Sequence, residues 1–227
     1  MLLKYSRIKK KLKDSNWLKL RDLPEEDREM IKKVMKSLGI FRVNSFDAQL
    51  ILKDLIGMSQ EMELRDSSLK VEIGEDLTGY VNELVENSKG ASPLEYITYF
   101  GKRVFLAMFM ITLFIGFLFT DGSWRGPLPI ILFFLGINIF GEIYHGIIVP
   151  NYNIEKGIRR RIPDLIFVII AAPIIILTTP SAFAESVFKV NYQLLSGVFG
   201  MIYLGCKIGH LWAEKQLIEG REHLVEE

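Results

Sequence analysis

The sequence predicts an all-α protein in two parts: a small cytosolic helical domain followed by a four-helix transmembrane bundle, with both termini cytosolic. Three observations predict it. The first is the distribution of charge: of 28 Lys+Arg and 27 Asp+Glu in 227 residues, 17 of each sign fall within the first 100 positions. The second is that the last 127 residues confine most of their charge to short clusters between long apolar runs. The third is helical apolar spacing with recognisable caps through the front part. Together with a single Cys, this excludes an ordinary soluble globule, a disordered chain and a disulfide-stapled secreted domain. The lone Cys206 lies in an apolar stretch and is read as a small core hydrophobe.

Residues 1–21 form a basic amphipathic arm with eight basic side chains and one acidic one. Lys4, Arg7, Lys9, Lys10, Lys11 and Lys13 follow directly on Met1-Leu2-Leu3. A secretory leader needs an apolar core of about 7–15 residues after its basic region, and none follows here. Neither a Gly at position 2 nor a prenylation box at Val225-Glu226-Glu227 is present, so the start is expected to be retained and cytosolic. Tyr5, Ile8 and Leu12 share one helical face, and Trp17, Leu18 and Leu20 follow. Lys9, Lys10, Lys11 and Lys13 are candidate contacts for anionic membrane lipid, which attracts such a segment by about 1 kcal/mol per surface basic residue. Docking onto the acidic remainder of its own domain is the alternative, since residues 22–100 carry nine basic and sixteen acidic side chains. Nucleic acid is disfavoured because no second reading element or aromatic platform accompanies the arm.

Residues 22–90 read as three helices. Leu23-Pro24-Glu25-Glu26-Asp27 opens the first, with carboxylates at its positive end. Ile31, Val34, Met35 and Leu38 keep helical spacing until Gly39. A second helix starts near Ser45 and carries Ile51, Leu55, Met58 and Met62 as its core stripe. Asp66 through Gly74 reads as a loop or brief extended piece, because Leu69, Val71 and Ile73 alternate. Asp76 caps a third helix with Leu77, Val81, Leu84 and Val85 inside. These stripes predict an antiparallel three-helix unit.

Three runs here carry a resemblance: Leu23-Pro24-Glu25-Glu26-Asp27-Arg28-Glu29, Ile51-Leu52-Lys53-Asp54-Leu55, and Ile73-Gly74-Glu75-Asp76-Leu77-Thr78-Gly79-Tyr80-Val81-Asn82-Glu83-Leu84. Over about residues 16–88 the chain resembles the HAAS-type (HTH-associated alpha-helical signalling) domains of Gram-positive bacteria. These often lie beside PadR-like winged-helix repressors and are often fused to multipass membrane segments. The resemblance implies a signalling or adaptor module in the cell envelope that binds a protein partner, a PadR-like regulator or a membrane complex. It implies no catalytic residue. Arg28 and Tyr80, on the surface of the helical unit, are the candidate partner contacts.

Residues 91–103 form the juxtamembrane helix. Ser92-Pro93-Leu94-Glu95 is a capping box with Pro at the first helical position. With no further proline until Pro127, one helix is expected from Pro93 to about Thr120, and Gly101 is its soft point, costing roughly 1 kcal/mol against Ala. The helix serves either as a transmitter of motion or as a rigid tether.

Residues 104–208 hold four apolar stretches, about 104–120, 127–148, 163–180 and 187–208, each long enough for a hydrocarbon core of ~30 Å. Lys102 and Arg103 precede the first; Lys156, Arg159, Arg160 and Arg161 lie between the second and third; Lys207, Lys215 and Arg221 end the fourth. By the positive-inside rule these segments face the cytosol, which places the protein in a bacterial cytoplasmic membrane with both termini inside. Residues 209–227 are then a cytosolic tail. Trp124 and Trp212 fall at opposite interfaces, Pro173 marks a kink in the third span, and Ser196 with Gly200 offers close helix approach.

Polar residues inside spans are costly and single themselves out. Glu142 and His145, i and i+3 on the second span, have Lys207 at the same interface. Glu-x-x-His is half of a di-iron motif, to which His210 and Glu214 could add ligands. With three His in the chain and no second Glu-x-x-His, an ion pair with Lys207 or with Arg159, Arg160 and Arg161 is the preferred reading, and no metal or cofactor is expected. No Walker loop, Gly-x-Ser-x-Gly elbow, His-Glu-x-x-His or Cys-x-x-Cys pair occurs, so the chain is expected not to be an enzyme. An accessory or oligomeric transporter subunit remains the alternative function, and a homo-oligomer is compatible with either.

Overall fold

Local capping chemistry sets most helix ends. The computed structural model describes residues 2–119, 124–153, 159, 161–177 and 189–225, and these are mostly helical. The chain divides into two units: Met1–Tyr96 with Gly146–Arg160 and His210–Glu227, and Ile97–His145 with Arg161–Gly209.

The first unit holds five successive helices: α1 (Leu2–Arg21), α2 (Glu25–Arg42), α3 (Ser45–Leu64), α4 (Leu69–Ile73) and α5 (Leu77–Glu86). Asn44 caps α3, its side chain accepting from the N–H groups of Phe46 and Asp47, and Asp76 Oδ1 accepts from Gly79 N at 2.9 Å to cap α5. Such caps satisfy amides that the first helical turn leaves without partners. Ile31, Val34 and Leu38 of α2 pack with Leu55 and Ile56 of α3, Leu69 of α4, and Leu77 and Val81 of α5 in one buried cluster.

One expectation changes in this unit. The segment read as loop or extended contains helix α4, in which Leu69 and Ile73, four apart, are buried while Val71 is 72% exposed. The arm packs within its own unit: α1 lies on α3, burying Tyr5 and Leu12 with Phe46 and Ile218. The tail joins this unit from His210 onward. Helix α10 (Tyr192–Ile218, below) runs well into it, and Arg221 Nη2 lies 2.6 Å from Asp47 Oδ1. Gly39 interrupts α2 as its spacing predicts, at φ 56° and ψ 149°, and helix resumes beyond the kink to Arg42.

That kink receives the connection after the second apolar stretch. Its short helix α8 (Val149–Tyr152) packs on α2. A Cβ at Gly39 would come 2.9 Å from Pro150 Cβ, so glycine is required there twice, for the positive φ and for the approach. Asn153 Nδ2 donates to Lys33 O and Ser37 Oγ at 3.0 and 2.9 Å.

The second unit is built from α6 (Pro93–Phe119), β1 (Arg125–Pro127), α7 (Leu128–Ile143), α9 (Ile162–Leu177), β2 (Lys189–Asn191) and α10 (Tyr192–Ile218), α6 and α10 each extending into the first unit. A π-helical turn, Tyr144–Ile148, links α7 to α8. Among the described residues three helical stretches, Pro93–Leu118, Leu128–Tyr152 and Tyr192–Ile218, are long and apolar enough to cross a membrane. The predicted third span corresponds to α9, whose 16 residues reach about 24 Å at 1.5 Å each. Residues 178–180 of that span, and the connection at 181–186, lie outside the described residues. Helix α9 continues through Pro173.

A small ribbon qualifies the all-α expectation. β1 and β2 pair antiparallel, Gly126 opposite Val190, and the Tyr192 hydroxyl donates to Pro127 O at 3.0 Å. Helices α6 and α10 meet through small residues. A Cβ at Gly209 would fall 2.8 Å from Thr98 Cγ2, one at Gly101 2.5 Å from Cys206 Sγ, and one at Gly200 3.3 Å from the Phe109 ring. As one residue number rises the other falls, so the two helices run antiparallel. Gly101, read as a soft point, is what lets Cys206 approach. The Ser196 hydroxyl turns to its own helix, donating to Gln193 O at 2.8 Å.

Candidate functional site

Helix α1 divides its basic side chains between two faces. At 100° per residue Tyr5, Lys9, Leu12 and Asn16 share one side, and this is the side that packs. Lys9 Nζ donates to Ser45 Oγ at 2.6 Å and to Glu214 Oε1 at 3.0 Å, with the two charged side chains 17% and 8% exposed. Glu214 Oε1 also lies 3.5 Å from His210 Nε2. Lys9 is thus held in an ion pair within the first unit. Its position on the apolar side of the helix was the available signal; Glu214, about two hundred residues away, was not. Asn16 Nδ2, buried beside it, donates to Gln49 O at 2.8 Å.

The capping box at Ser92 folds only in part. Ser92 Oγ accepts from Glu95 N at 3.1 Å, but the Glu95 carboxylate reaches across to accept from Ser45 N at 2.8 Å. One buried acid thus secures the start of α3, close to the Lys9 contact.

The outward side of α1 keeps the rest. Lys10, Lys11 and Lys13 are exposed, and so are Leu3, Trp17 and Leu18. Arg21 lies over the Trp17 ring at 5.0 Å. Two adjoining grooves run along this helix. One, of about 460 Å³, is lined by Leu3, Lys4, Arg7, Ile8 and Lys11. The other, of about 370 Å³, is lined by Lys11, Leu12, Ser15, Asn16, Lys19, Lys53 and Val225. Lys11, Ser15 and Lys19 follow one another at four-residue intervals, a helical row legible in the sequence; Lys53 joins them only because α3 packs alongside. Lys53 Nζ donates to Leu224 O at 3.1 Å.

Arg28 stands 3.8 Å from Glu25 Oε1 in the first turn of α2. Tyr80 is half-buried against the first unit's core. Burial, then the carboxylates of Glu83, Asp54 and Glu72, push its hydroxyl above the ordinary tyrosine range, so it stays protonated as a donor.

In the second unit Glu142 pairs with Arg103, Oε1 to Nε at 3.0 Å. Of the partners expected for it, Arg160 lies outside the described residues. Lys207 lies over the Tyr203 ring at 5.9 Å. His145, exposed, meets the Tyr144 ring edge-on at 5.1 Å within the π-helical turn, and the Tyr144 hydroxyl donates to Asp164 Oδ1 at 3.2 Å. Among the described residues no group of three or more His, Cys, Asp or Glu could hold a metal ion. No family model, no curated protein and no solved structure matches the chain.

Proposed function

We propose that this is a non-enzymatic multipass protein of a bacterial cytoplasmic membrane, whose helical first unit is a signalling or adaptor module that docks a protein partner. The partner would be a PadR-like regulator or a membrane complex, as the resemblance to HAAS-type domains over residues 16–88 implies. One observation carries the reading. The three segments that Lys and Arg placement assigns to the cytosol, namely the start of the chain, the 146–160 connection and the end of the chain, all belong to the first unit. The strands beside the other two connections, 125–127 and 189–191, pair within the second unit. This grouping supports a four-span topology with both termini inside and α9 in the third span.

The module also offers exposed apolar side chains that its own core does not use, Leu64 at 87% and Val71 at 72%, beside Tyr80 and Arg28. The outward face of α1 adds an anionic-lipid contact through Lys10, Lys11 and Lys13. A photo-crosslinking residue at Val71 or Tyr80, introduced in native membranes, tests the reading. A covalent adduct with a winged-helix regulator or another membrane protein is the expected result; adducts with lipid alone would sink it.

The alternative, an accessory or oligomeric transporter subunit, draws on the Glu142–Arg103 pair beside a π-helical turn, an irregularity frequent at functional sites. It predicts that Glu142→Gln abolishes transport while assembly persists.

A further inference from the structure

We infer that the groove between α1 and α3 is a binding site for the phosphate group of an anionic phospholipid, held by Lys11, Ser15, Lys19 and Lys53. The inference rests on the lipid-facing role proposed for α1 and names the atoms that would do the work.

Three lysines and one serine line a space of about 370 Å³ that, among the described residues, no acidic side chain lines. Lys11 and Lys19 have no acidic partner among the described residues, in contrast to Lys4, which pairs with Glu222, and Lys9, which pairs with Glu214. Lys53 gives one N–H to Leu224 O and keeps two. The geometry is fixed from below. Leu12 and Asn16 form the floor, both nearly fully buried, and the Asn16 bond to Gln49 ties α1 to α3. Neighbouring lysines repel one another, and an anion with several acceptor oxygens relieves this while taking charge-assisted hydrogen bonds from each.

The neighbouring groove argues for a lipid over a free ion. It shares Lys11, and it adds the apolar side chains Leu3 and Ile8 along the same helix. A head group at Lys11, Lys19 and Lys53 would thus have apolar surface next to it for the start of its acyl chains. Exposed Leu3, Trp17 and Leu18 among basic residues are the composition of helices that lie at a lipid interface.

The test uses the full chain in neutral detergent and measures binding of dioctanoyl-phosphatidylglycerol, dioctanoylglycerol and inorganic phosphate. Dioctanoyl-phosphatidylglycerol should bind, with the other two weaker by about tenfold or more, since each lacks half of the recognised group. Changing Lys11, Lys19 and Lys53 together to Gln should weaken lipid binding by at least about tenfold, the loss expected when several charged hydrogen bonds go. Changing Lys33, Lys36 and Lys70, exposed lysines away from α1 and from both grooves, to Gln removes equal charge and should cost less than about twofold. Lys19→Glu alone, on an exposed side chain, should weaken binding as the triple change does and guards against a folding defect. Equal losses in the two triple variants, or no lipid binding by the unaltered chain, would overturn the site. Inorganic phosphate binding as tightly as the lipid would overturn the lipid as its ligand. Each result is separable from the adaptor reading, which the crosslink at Val71 or Tyr80 reports independently.

Discussion

The two units hold together by different means. The first surrounds an apolar core with buried polar groups, each given a specific partner. Asp27 accepts from Ser59 Oγ at 2.6 Å and from Leu69 N at 3.0 Å, which pins α4 to α2 and α3. Asp47 accepts from Asn44 Nδ2 and Lys89 N and forms an ion pair with Arg221, and Lys9 meets Glu214. The second unit has far less of this. Its helices α6 and α10 approach through Gly101, Gly200 and Gly209, and large apolar side chains such as Phe114, Phe117 and Leu132 remain exposed. The contrast follows from solvent. In water, burying apolar surface drives association and paired polar groups give it a unique register. In hydrocarbon that drive between helices is absent, and close backbone approach takes its place.

The comparison can be broken at four points. The largest effect is expected at Lys9. Lys9→Gln leaves Glu214 charged and buried without its partner, at a cost of about 3–5 kcal/mol. Thermal unfolding of the detergent-solubilised chain should show an early loss of first-unit helicity, and Lys9→Met combined with Glu214→Leu should recover much of it. No shift in Lys9→Gln would mean that the pair is solvated and the contrast overstated. Next comes Leu55→Ala, a cavity in the first unit's core worth about 2–5 kcal/mol, against Leu132→Ala, whose exposed side chain should cost under about 1 kcal/mol. Equal costs would refute the solvent argument.

Third, Gly101→Leu forces a side chain against Cys206 and should destabilise the α6–α10 packing by about 1–3 kcal/mol, read from resistance to helix exchange or proteolysis. A neutral outcome would show that the small-residue seam is incidental. The smallest effect belongs to Glu142→Gln. Arg103 is half-exposed and Glu142 mostly covered, so losing the charge should cost about 1 kcal/mol or less in stability. A larger loss would mark that pair as the second unit's counterpart of Lys9–Glu214.

How much of this was legible in the sequence depends on the range of the interaction. Gly39, Asp76 and the Ser92 turn were readable because a cap acts over three or four residues. The core stripes of α2, α3 and α5 were readable because their spacing repeats over several turns. Leu69, Val71 and Ile73 misled because five residues satisfy two periods at once: every second position, and also i and i+4. Only packing decides between them, and it buried the i, i+4 pair. The candidate site divides in the same way. Lys10, Lys11 and Lys13 could be placed outside from local composition, and the row Lys11, Ser15, Lys19 was there to be seen. That Lys9 turns inward to Glu214, that Lys53 completes a groove, and that Arg103 and not Lys207 meets Glu142 all depend on pairings between distant segments, which leave no trace in local pattern.

The Lys9–Glu214 pair also sets a clock. During synthesis Lys9 leaves the ribosome long before Glu214 exists, and at about 5–20 residues per second the interval is roughly 10–40 s. Throughout it the first helix lacks both its buried counter-charge and Ile218, which closes over Tyr5 and Leu12. The amino-terminal module is thus finished last, only after the apolar helices have been made. A chain cut short ahead of position 210 would present an incomplete module, with the inner face of its first helix uncovered, to whatever proteases or chaperones patrol newly made membrane proteins.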